Sequence, residues 1–376
     1  MTSKPQSVFA ETGSVRAVCL MSLLTGLLFC LAVELYARSN TTFVKLAQPQ
    51  TLLQRFEVGG DLLTIYDPEK GRRLRPHADV IVRNHYLSKR DVRITTNSLG
   101  FRDSEIDPER AENEVRILAI GDSVTVSDYL PVQDSFVEQL QENLSDEMPN
   151  HRVEVINAGV SDIGLSEEMG ILREKGLSLQ PDFVLLGFYL NDSLPPWGFA
   201  GRFAEPGIVR RYSVAANSVY RAVKLREWIQ GDYEKRFRWI KEKEQLNWRE
   251  SHEDFEKLVE LAEYDWGAAW KDESWFEIRK QFKELRELSL SHNFKVIVVA
   301  LPVVFQVDAK FIDNRPQHTL ADLSKKMGFY FFDPLTELRT QEVDRLYYDQ
   351  CHYTAFGNEL LGKMLERFFM NNVLDD

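Results

Sequence analysis

Five short apolar runs constrain the fold of this chain more than any other feature of its sequence. They are bounded by turn-forming residues and separated by helical stretches, and they cover residues 115–120, 153–156, 183–188, 296–301 and 329–332. Continuous rather than alternating apolar runs are typical of parallel strands that are covered on both faces. The intervening lengths suit right-handed crossover helices. The sequence therefore predicts a doubly wound α/β fold with a five-stranded parallel sheet.

An uncharged stretch near the start predicts a transmembrane anchor. Residues 17–33 carry no charge, and only Glu34 interrupts the apolar sequence before residue 38. At about 1.5 Å per residue, such a helix approaches the roughly 30 Å of a bilayer core, and Arg16 and Arg38 can snorkel at its ends. A cleaved signal peptide or a buried helix is the alternative, but the run is long for a signal peptide and no clear cleavage site follows. We expect an anchor over 17–37, with its orientation left open because basic residues flank both ends.

The rest of the chain divides into segments of unlike composition. We expect an N-terminal tail over 1–16, an irregular stalk or flap over 38–113 and the α/β domain over 114–372. A helical insertion at about 193–292 interrupts this domain, since a crossover needs only about a dozen residues. The insertion holds all seven tryptophans of the chain, Trp197, Trp228, Trp239, Trp248, Trp266, Trp270 and Trp275. They form either the core of a small helical subdomain or a lid whose exposed rings stack on sugars or rest on a membrane.

The balance of charges excludes some classes of partner. The 46 Lys and Arg residues against 58 Asp and Glu give a net charge of −12, without a strongly basic stretch, so nucleic acid is not an expected partner. Cys19 and Cys30 lie in the apolar run and Cys351 lies far from both, which predicts no disulfide framework. No cluster of His, Cys and Asp has the spacing of metal ligands, so neither a metal nor another cofactor is expected.

Polar residues follow the expected strands at positions that suit chemistry. Gly121-Asp122-Ser123 comes directly after the first run, and the carboxyl ends of parallel strands border the ligand crevice of such sheets. Asp349 and His352 precede the last helix with a spacing that lets the carboxylate orient the imidazole and stabilise its charged form. These residues could form a nucleophile, base and orienter.

Two other loops carry candidate donors for an oxyanion. The loop that contains Gly159 follows the second run, and Asn191-Asp192 follows the third. A tetrahedral oxyanion needs fixed hydrogen-bond donors. The backbone N–H groups of Ser123 and Gly159, with the side-chain amide of Asn191, could supply three.

Together the four blocks resemble the SGNH hydrolases, also called the GDSL esterase/lipase superfamily. In chain order the matching blocks are Gly121-Asp122-Ser123, Gly159, Asn191-Asp192 and Asp349-x-x-His352. The resemblance implies a flavodoxin-like sheet of five parallel strands. It implies that Ser123 is the nucleophile and His352 the general base, oriented by Asp349. It also implies an oxyanion hole made by Ser123, Gly159 and Asn191. The chain departs from the family where Val124 replaces Leu and where Tyr189 replaces the usual Gly of the third block.

The resemblance implies a serine esterase that hydrolyses an acyl ester, such as an acetyl ester on a small molecule or a glycan, through an acyl-serine intermediate. The stretch 100–103 also resembles the lead-in of membrane-anchored bacterial members, which implies a single-pass membrane protein with its catalytic domain outside the cytoplasm. Two alternatives remain open. The same residues would serve an O-acyltransferase acting on a surface polysaccharide, and a non-catalytic anchored protein could use the fold to bind glycan or serve as a scaffold.

Overall fold

The computed structural model describes residues 9–47, 62–67, 70–107, 109–194 and 207–374. Its strands are β1 (Thr64–Asp67), β2 (Gly71–Leu74), β3 (Asp79–Val82), β4 (Val92–Thr95), β5 (Glu114–Gly121), β6 (Arg152–Asn157), β7 (Phe183–Tyr189), β8 (Lys295–Leu301) and β9 (Tyr330–Phe332). Its α-helices are α1 (Phe9–Ser39), α2 (Thr41–Ala47), α3 (Ser123–Val126), α4 (Phe136–Glu147), α5 (Leu165–Ile171), α6 (Ile208–Tyr212), α7 (Val214–Trp228), α8 (Glu234–Arg236), α9 (Arg238–Glu242), α10 (His252–Leu261), α11 (Trp275–His292), α12 (Val304–Asp308), α13 (Arg315–Met327), α14 (Leu335–Leu338), α15 (Val343–Leu346) and α16 (Ala355–Asn372).

The five strands from β5 to β9 form one parallel sheet in the order β6-β5-β7-β8-β9. This is the flavodoxin-like order, because the chain moves from its first strand to one side and then crosses back to the other. The predicted five-stranded parallel sheet is confirmed, and each strand overlaps one of the apolar runs. All seven residues of β7 are buried, which explains why its sequence does not alternate.

The ends of β5 and β7 meet where the strand order reverses, which is where ligands bind in open α/β sheets. Gly121 stands opposite Gly187 in the register of these two strands. A Cβ atom would lie 2.1 Å from Thr125 Oγ1 at Gly121 and 2.3 Å from it at Gly187. The two glycines therefore make room for Thr125, so that α3 can begin at Ser123 and pack directly on the strand ends.

Two antiparallel hairpins, β1–β2 and β3–β4, lie in the region for which we expected irregular structure. The apolar pattern gave no sign of them because each strand has four residues and β2 buries two arginines. Arg72 Nη1 lies 2.8 Å from Asp162 Oδ2, and Arg73 Nη2 lies 2.8 Å from Glu174 Oε1. These ion pairs join the first hairpin to loops and helices of the α/β domain.

The chain forms two compact units. The anchor unit comprises residues 1–52 and 204–226, and the sheet unit comprises 53–203 and 227–376. The expected insertion is therefore divided, because α6 and most of α7 belong with α1 and the rest belongs with the sheet. Five tryptophans are buried, Trp228, Trp239, Trp248, Trp266 and Trp275, which favours the core interpretation over exposed rings. Trp197 lies outside the described residues.

Helix α1 contains the apolar segment of the anchor unit. Its residues Val15–Ser39 form a stretch of 25 residues that is long and apolar enough to cross a membrane, and the most apolar part of this stretch is not buried by protein. By length and composition the same stretch also suits a signal sequence.

Candidate active site

Ser123, His352 and Asp349 meet at the carboxyl end of the sheet. Ser123 begins α3 directly after β5, and the Asp122 side chain caps this helix by accepting the Val124 N–H at 2.9 Å. Ser123 Oγ lies 3.0 Å from His352 Nε2. On the other side of the ring, His352 Nδ1 lies 2.9 and 2.8 Å from the two carboxylate oxygens of Asp349. Hydroxyl, imidazole and carboxylate therefore form one hydrogen-bonded series.

The loop that precedes α16 fixes the orientation of the imidazole. Asp349 Oδ1 also accepts the backbone N–H groups of Cys351, at 3.0 Å, and His352, at 2.9 Å. The ring of Tyr129 contacts the His352 ring edge-to-face, with 5.0 Å between centroids. Cys351 is buried beside this pair. Since backbone donors and an aromatic face hold the pair, little rearrangement is needed before the base can act.

Asp349 controls the protonation of His352. Burial disfavours the charged imidazole, but the Asp349 carboxylate outweighs this effect and raises the pKa of His352 well above its usual 6.5. Burial would also raise the pKa of Asp349, but His352 and the backbone donors hold it below its usual 3.8. Both shifts favour an imidazolium–carboxylate pair, so Asp349 stabilises a positive charge on the His352 ring.

Arg102 supports the loop that follows α3. Its buried guanidinium donates from Nη1 to the carbonyl oxygens of Val126, at 2.8 Å, and Ser127, at 2.6 Å. The next residue, Asp103, accepts the backbone N–H of Asn157 at 3.0 Å through Oδ2. The stretch 100–103, noted in the sequence for its resemblance, thus holds the loops after both β5 and β6.

Asn191 lies in the turn after β7 and lines the same cavity as Ser123. Asp192 fixes this turn, because its Oδ2 accepts the Tyr189 N–H at 2.9 Å while its own N–H donates to the Tyr189 carbonyl at 3.0 Å. Tyr189 is buried at the end of β7. The tyrosine that replaces the usual glycine of the third block therefore leaves Asn191 at the cavity.

Gly159, a predicted oxyanion donor, lies in the loop after β6. Its N–H donates to Asn157 Oδ1 at 3.1 Å, and Gly159 is absent from the residues that line the cavity in the described chain. A Cβ atom at this position would lie 2.6 Å from the backbone nitrogen of Val126. The geometry gives Gly159 a packing role, in which the loop after β6 lies directly on the backbone of α3.

This packing predicts that Gly159→Ala is destabilising. Because the clash is with backbone atoms, we expect a loss of roughly 2 kcal/mol in the free energy of unfolding. The measurement is urea denaturation with the m-value compared between variants. Gly231→Ala is the matched control, since no atom lies within 4 Å of its added Cβ. Equal loss in both variants would contradict close packing at Gly159.

Asp265, from the insertion, is a site residue that the sequence analysis missed. It is buried, and its Oδ1 accepts Asn191 Nδ2 at 3.4 Å while its Oδ2 accepts Trp239 Nε1 at 3.2 Å. Arg236 Nε lies 3.6 Å from Oδ1. Burial raises the pKa of Asp265 although these partners oppose it. The insertion therefore contributes a carboxylate that orients the amide of Asn191.

The cavity at Ser123 has a volume of about 260 Å³. Aromatic and acidic side chains dominate its walls, and those that the sequence did not predict, besides Asp265, are His85, Tyr86, Asp128, Tyr129, Asp162, Tyr233 and Phe237. Several already have partners, such as Asp128 Oδ2, which accepts the Ser161 hydroxyl at 2.7 Å. No lysine or arginine lines the cavity within the described ranges. The walls therefore suit an uncharged, polar ligand better than an anionic one.

Among the residues that the structure describes, two side-chain groups each bring three possible metal-ligand atoms close together. One is Asp349, Cys351 and His352, whose atoms already bond to one another as described above. The other is His252, Glu256 and Asp313. Arg315 Nη2 lies 2.6 Å from both Glu256 Oε1 and Asp313 Oδ2, so the protein itself places a cation in this second group.

No family model and no curated protein matches the sequence. Among solved structures, the chain is similar to a lipolytic protein of the G-D-S-L family from Desulfitobacterium hafniense, with 13% identity, a TM-score of 0.37, and coverage of 67% of this chain and 98% of that one. It is similar to a catalytic mutant of an acetylxylan esterase from Geobacillus stearothermophilus, with 14% identity, a TM-score of 0.40, and coverage of 67% and 93%. It is also similar to a two-domain esterase active on acetylated mannans, with 12% identity, a TM-score of 0.40, and coverage of 70% and 50%.

The strand order and the positions of the four blocks agree with one another. The nucleophile block follows β5, the Gly159 block follows β6, the Asn191 block follows β7, and the Asp349–His352 block precedes α16. The chain thus has the flavodoxin-like α/β fold that its resemblance to the SGNH hydrolases implied.

Proposed function

We propose that this chain is a serine esterase of the SGNH type. The observation that carries the proposal is the series Ser123 Oγ, His352 and Asp349, with separations of 3.0 and 2.8 Å, at the mouth of a cavity. A serine hydroxyl is a weak nucleophile until a neighbouring base removes its proton. His352 is within hydrogen-bonding reach of that proton, and Asp349 fixes the tautomer and stabilises the resulting charge.

The reaction proceeds in two steps. His352 Nε2 takes the proton of Ser123 while Oγ attacks the ester carbonyl, and the imidazolium returns that proton to the departing alcohol oxygen. The acyl-serine that remains is attacked by water, whose proton passes to His352 and then to Ser123 Oγ as the carboxylic acid leaves. Each step forms one bond to carbon and breaks one, so the site is restored after a turnover.

The oxyanion of each tetrahedral intermediate needs donors near Ser123. We assign this role to the Ser123 backbone N–H and the Asn191 amide. Asn191 Oδ1 is buried without a hydrogen-bond partner, which leaves Nδ2 as the group of this side chain that reaches Asp265. Asp265 is a positioning residue, since it acts on the reaction through Asn191.

Asn191→Ala is expected to lower kcat by roughly 10²- to 10³-fold with little change in KM, because the lost donor serves the transition state more than the bound ester. The measurement is steady-state hydrolysis of p-nitrophenyl acetate. Asp265→Asn should cause a smaller loss of kcat in the wild-type background and no further loss in Asn191→Ala. Equal losses in both backgrounds would show that Asp265 acts independently of Asn191.

The acceptor of the acyl group distinguishes hydrolase from transferase. Incubating the protein with an activated acetyl ester, with and without an oligosaccharide, measures release of acetate against formation of an acetylated sugar. Our proposal expects acetate in both cases. Consumption of the acetyl ester only when the oligosaccharide is present, with formation of an acetylated sugar, would favour an O-acyltransferase. Failure of a serine-directed phosphonate to label Ser123 would favour a non-catalytic glycan-binding or scaffold protein.

We also propose that α1 anchors the enzyme in the cytoplasmic membrane, with the sheet unit outside the cytoplasm. The support is the length and apolar composition of Val15–Ser39, together with a segment of the insertion that is bonded to its end. A substrate outside the cell, such as an acylated glycan, would then reach the site. The uncharged, polar substrate favoured by the cavity walls agrees with such an ester.

A further inference from the structure

The end of α1 is bonded to the first part of the insertion within the anchor unit. The Glu34 carboxylate accepts the Ser213 hydroxyl at 2.7 Å and the backbone N–H groups of Val214 and Ala215 at 2.9 and 3.1 Å. Arg38 donates from Nη2 to the Tyr212 carbonyl at 2.6 Å and from Nε to Glu34 at 2.7 Å. The start of α7 is therefore capped by the one acidic residue in the apolar stretch.

These bonds place α6 and the start of α7 at the last turns of the candidate membrane span. A carboxylate so close to an apolar helix is costly in lipid unless donors surround it, and here three protein groups and a guanidinium do so. Charged side chains at the end of a span lie where the hydrocarbon gives way to lipid headgroups. The bonded segment thus lies at the level of that boundary.

The segment carries large apolar side chains on its surface. Ile208 and Val209 of α6 are 80% and 71% exposed, and Tyr212 is 70% exposed. Val219 and Val223, one turn apart in α7, are exposed as well. Contiguous apolar residues on a protein surface mark a site of contact with a protein or a membrane. The apolar part of α1 is also uncovered by protein, although Ala37 near its end is buried, so lipid is the occupant that both elements share.

The charge of the segment is opposite to that of the whole chain. Residues 207–226 contain five Lys and Arg residues and no Asp or Glu, in a protein whose net charge is −12. The five are Arg210, Arg211, Arg221, Lys224 and Arg226. Exposed apolar residues combined with basic residues are typical of segments that lie on anionic membrane surfaces.

We infer that residues 207–226, hereafter the basic segment, bind the surface of an anionic phospholipid bilayer beside the anchor. Ile208, Val209 and Tyr212 enter the boundary between headgroups and acyl chains, and the exposed Arg211 and Arg226 contact lipid phosphates. This inference rests on the proposed anchoring by α1 and is independent of the esterase chemistry.

The test uses the full chain, labelled with an environment-sensitive fluorophore and reconstituted into phosphatidylcholine vesicles with and without phosphatidylglycerol. Val209→Cys is made in a Cys19→Ser/Cys30→Ser background, where Cys351 is buried and inaccessible to the label. Emission and quenching by doxyl-labelled phospholipids report contact with lipid. Phe276→Cys in the same background is the control, because Phe276 is 70% exposed on α11, a helix that carries acidic and basic residues alike.

We expect the label at 209 to show blue-shifted emission and several-fold stronger quenching than the label at 276, with a further increase when phosphatidylglycerol is present. Arg211→Gln/Arg226→Gln should remove that increase. Water-like emission at both positions would overturn the inference.

A label on the native Cys30, in Cys19→Ser alone, reports whether α1 itself is in lipid. Quenching at position 30 without quenching at position 209 would refute membrane binding by the basic segment and would leave the proposed anchor unaffected. No quenching at 30 refutes the anchor, and with it the inference.

Discussion

Ser123→Ala is expected to reduce kcat for p-nitrophenyl acetate by roughly 10⁴- to 10⁶-fold, because no acyl-serine can form. The residual rate would come from the oxyanion donors acting on water. The same change should abolish covalent labelling by a phosphonate, measured as the mass of the intact protein. Substrate binding should change little, since one hydroxyl is a small part of the cavity wall.

Ser166→Ala is the matched control for this experiment. Ser166 is an exposed serine of α5 that does not line the cavity, so its loss should leave kcat within the error of wild type. Full activity in Ser123→Ala would refute the covalent mechanism. Reduced activity with phosphonate labelling retained would place the nucleophile at another residue.

Asp349→Asn is expected to lower kcat by roughly 10³- to 10⁴-fold while leaving the fold intact. An amide oxygen can still accept the backbone N–H groups of Cys351 and His352 that Asp349 Oδ1 now accepts. The amide cannot, however, stabilise the imidazolium, and its NH₂ group favours the wrong tautomer of the ring. The measurement is kcat at several pH values, and Asp344→Asn, an exposed change of the same charge, is the control.

The pH dependence of kcat should shift in a known direction in Asp349→Asn. In the wild type, the raised pKa of His352 means that activity rises with pH on a limb lying above 6.5, since only the neutral imidazole accepts the serine proton. Without the carboxylate, burial becomes the dominant influence and lowers the pKa of His352. The limb should therefore move to lower pH in Asp349→Asn, and an unchanged limb would contradict pairing with Asp349.

The same pair links stability to pH. A raised pKa in the folded state means that the His352 contribution is fully present below its unfolded pKa and is lost as pH rises through the folded value. The lowered pKa of Asp349 means that its contribution is present above 3.8 and is lost as pH falls through the folded value. Between these limits both contributions stabilise the fold.

The sheet was predictable because its strands are buried on both faces, so that nearly every residue of a strand is apolar. The hairpins were not predicted. The short strands β3 and β4 alternate between buried and exposed residues, and the buried arginines of β2 form ion pairs such as Arg72–Asp162. The positions of Ser123 and of the Asp349–His352 pair could be predicted because strand order brings strand ends together. Their positions follow from local sequence and from the sheet.

Gly159 and Asp265 show where sequence reasoning stops. The N–H of Gly159 is taken by the Asn157 side chain two residues earlier, a local competition that a motif does not reveal. Asp265 is bonded to Asn191 although 74 positions separate them in the sequence, and the insertion between them has no repeating pattern. An acid between Tyr264 and Trp266 was the one local sign, and acids beside aromatic residues are common on surfaces.

The hydrogen bond between Ser123 and His352 joins residues 229 positions apart, so the proposed esterase activity requires the complete fold. Closing so long a loop is slow, and contacts that are close in sequence must form before it. Under the proposed function, a nascent or misfolded chain therefore carries an inert serine. We expect ester hydrolysis to return during refolding later than the spectroscopic signal of sheet formation. The time of its return would mark the last long-range step of folding.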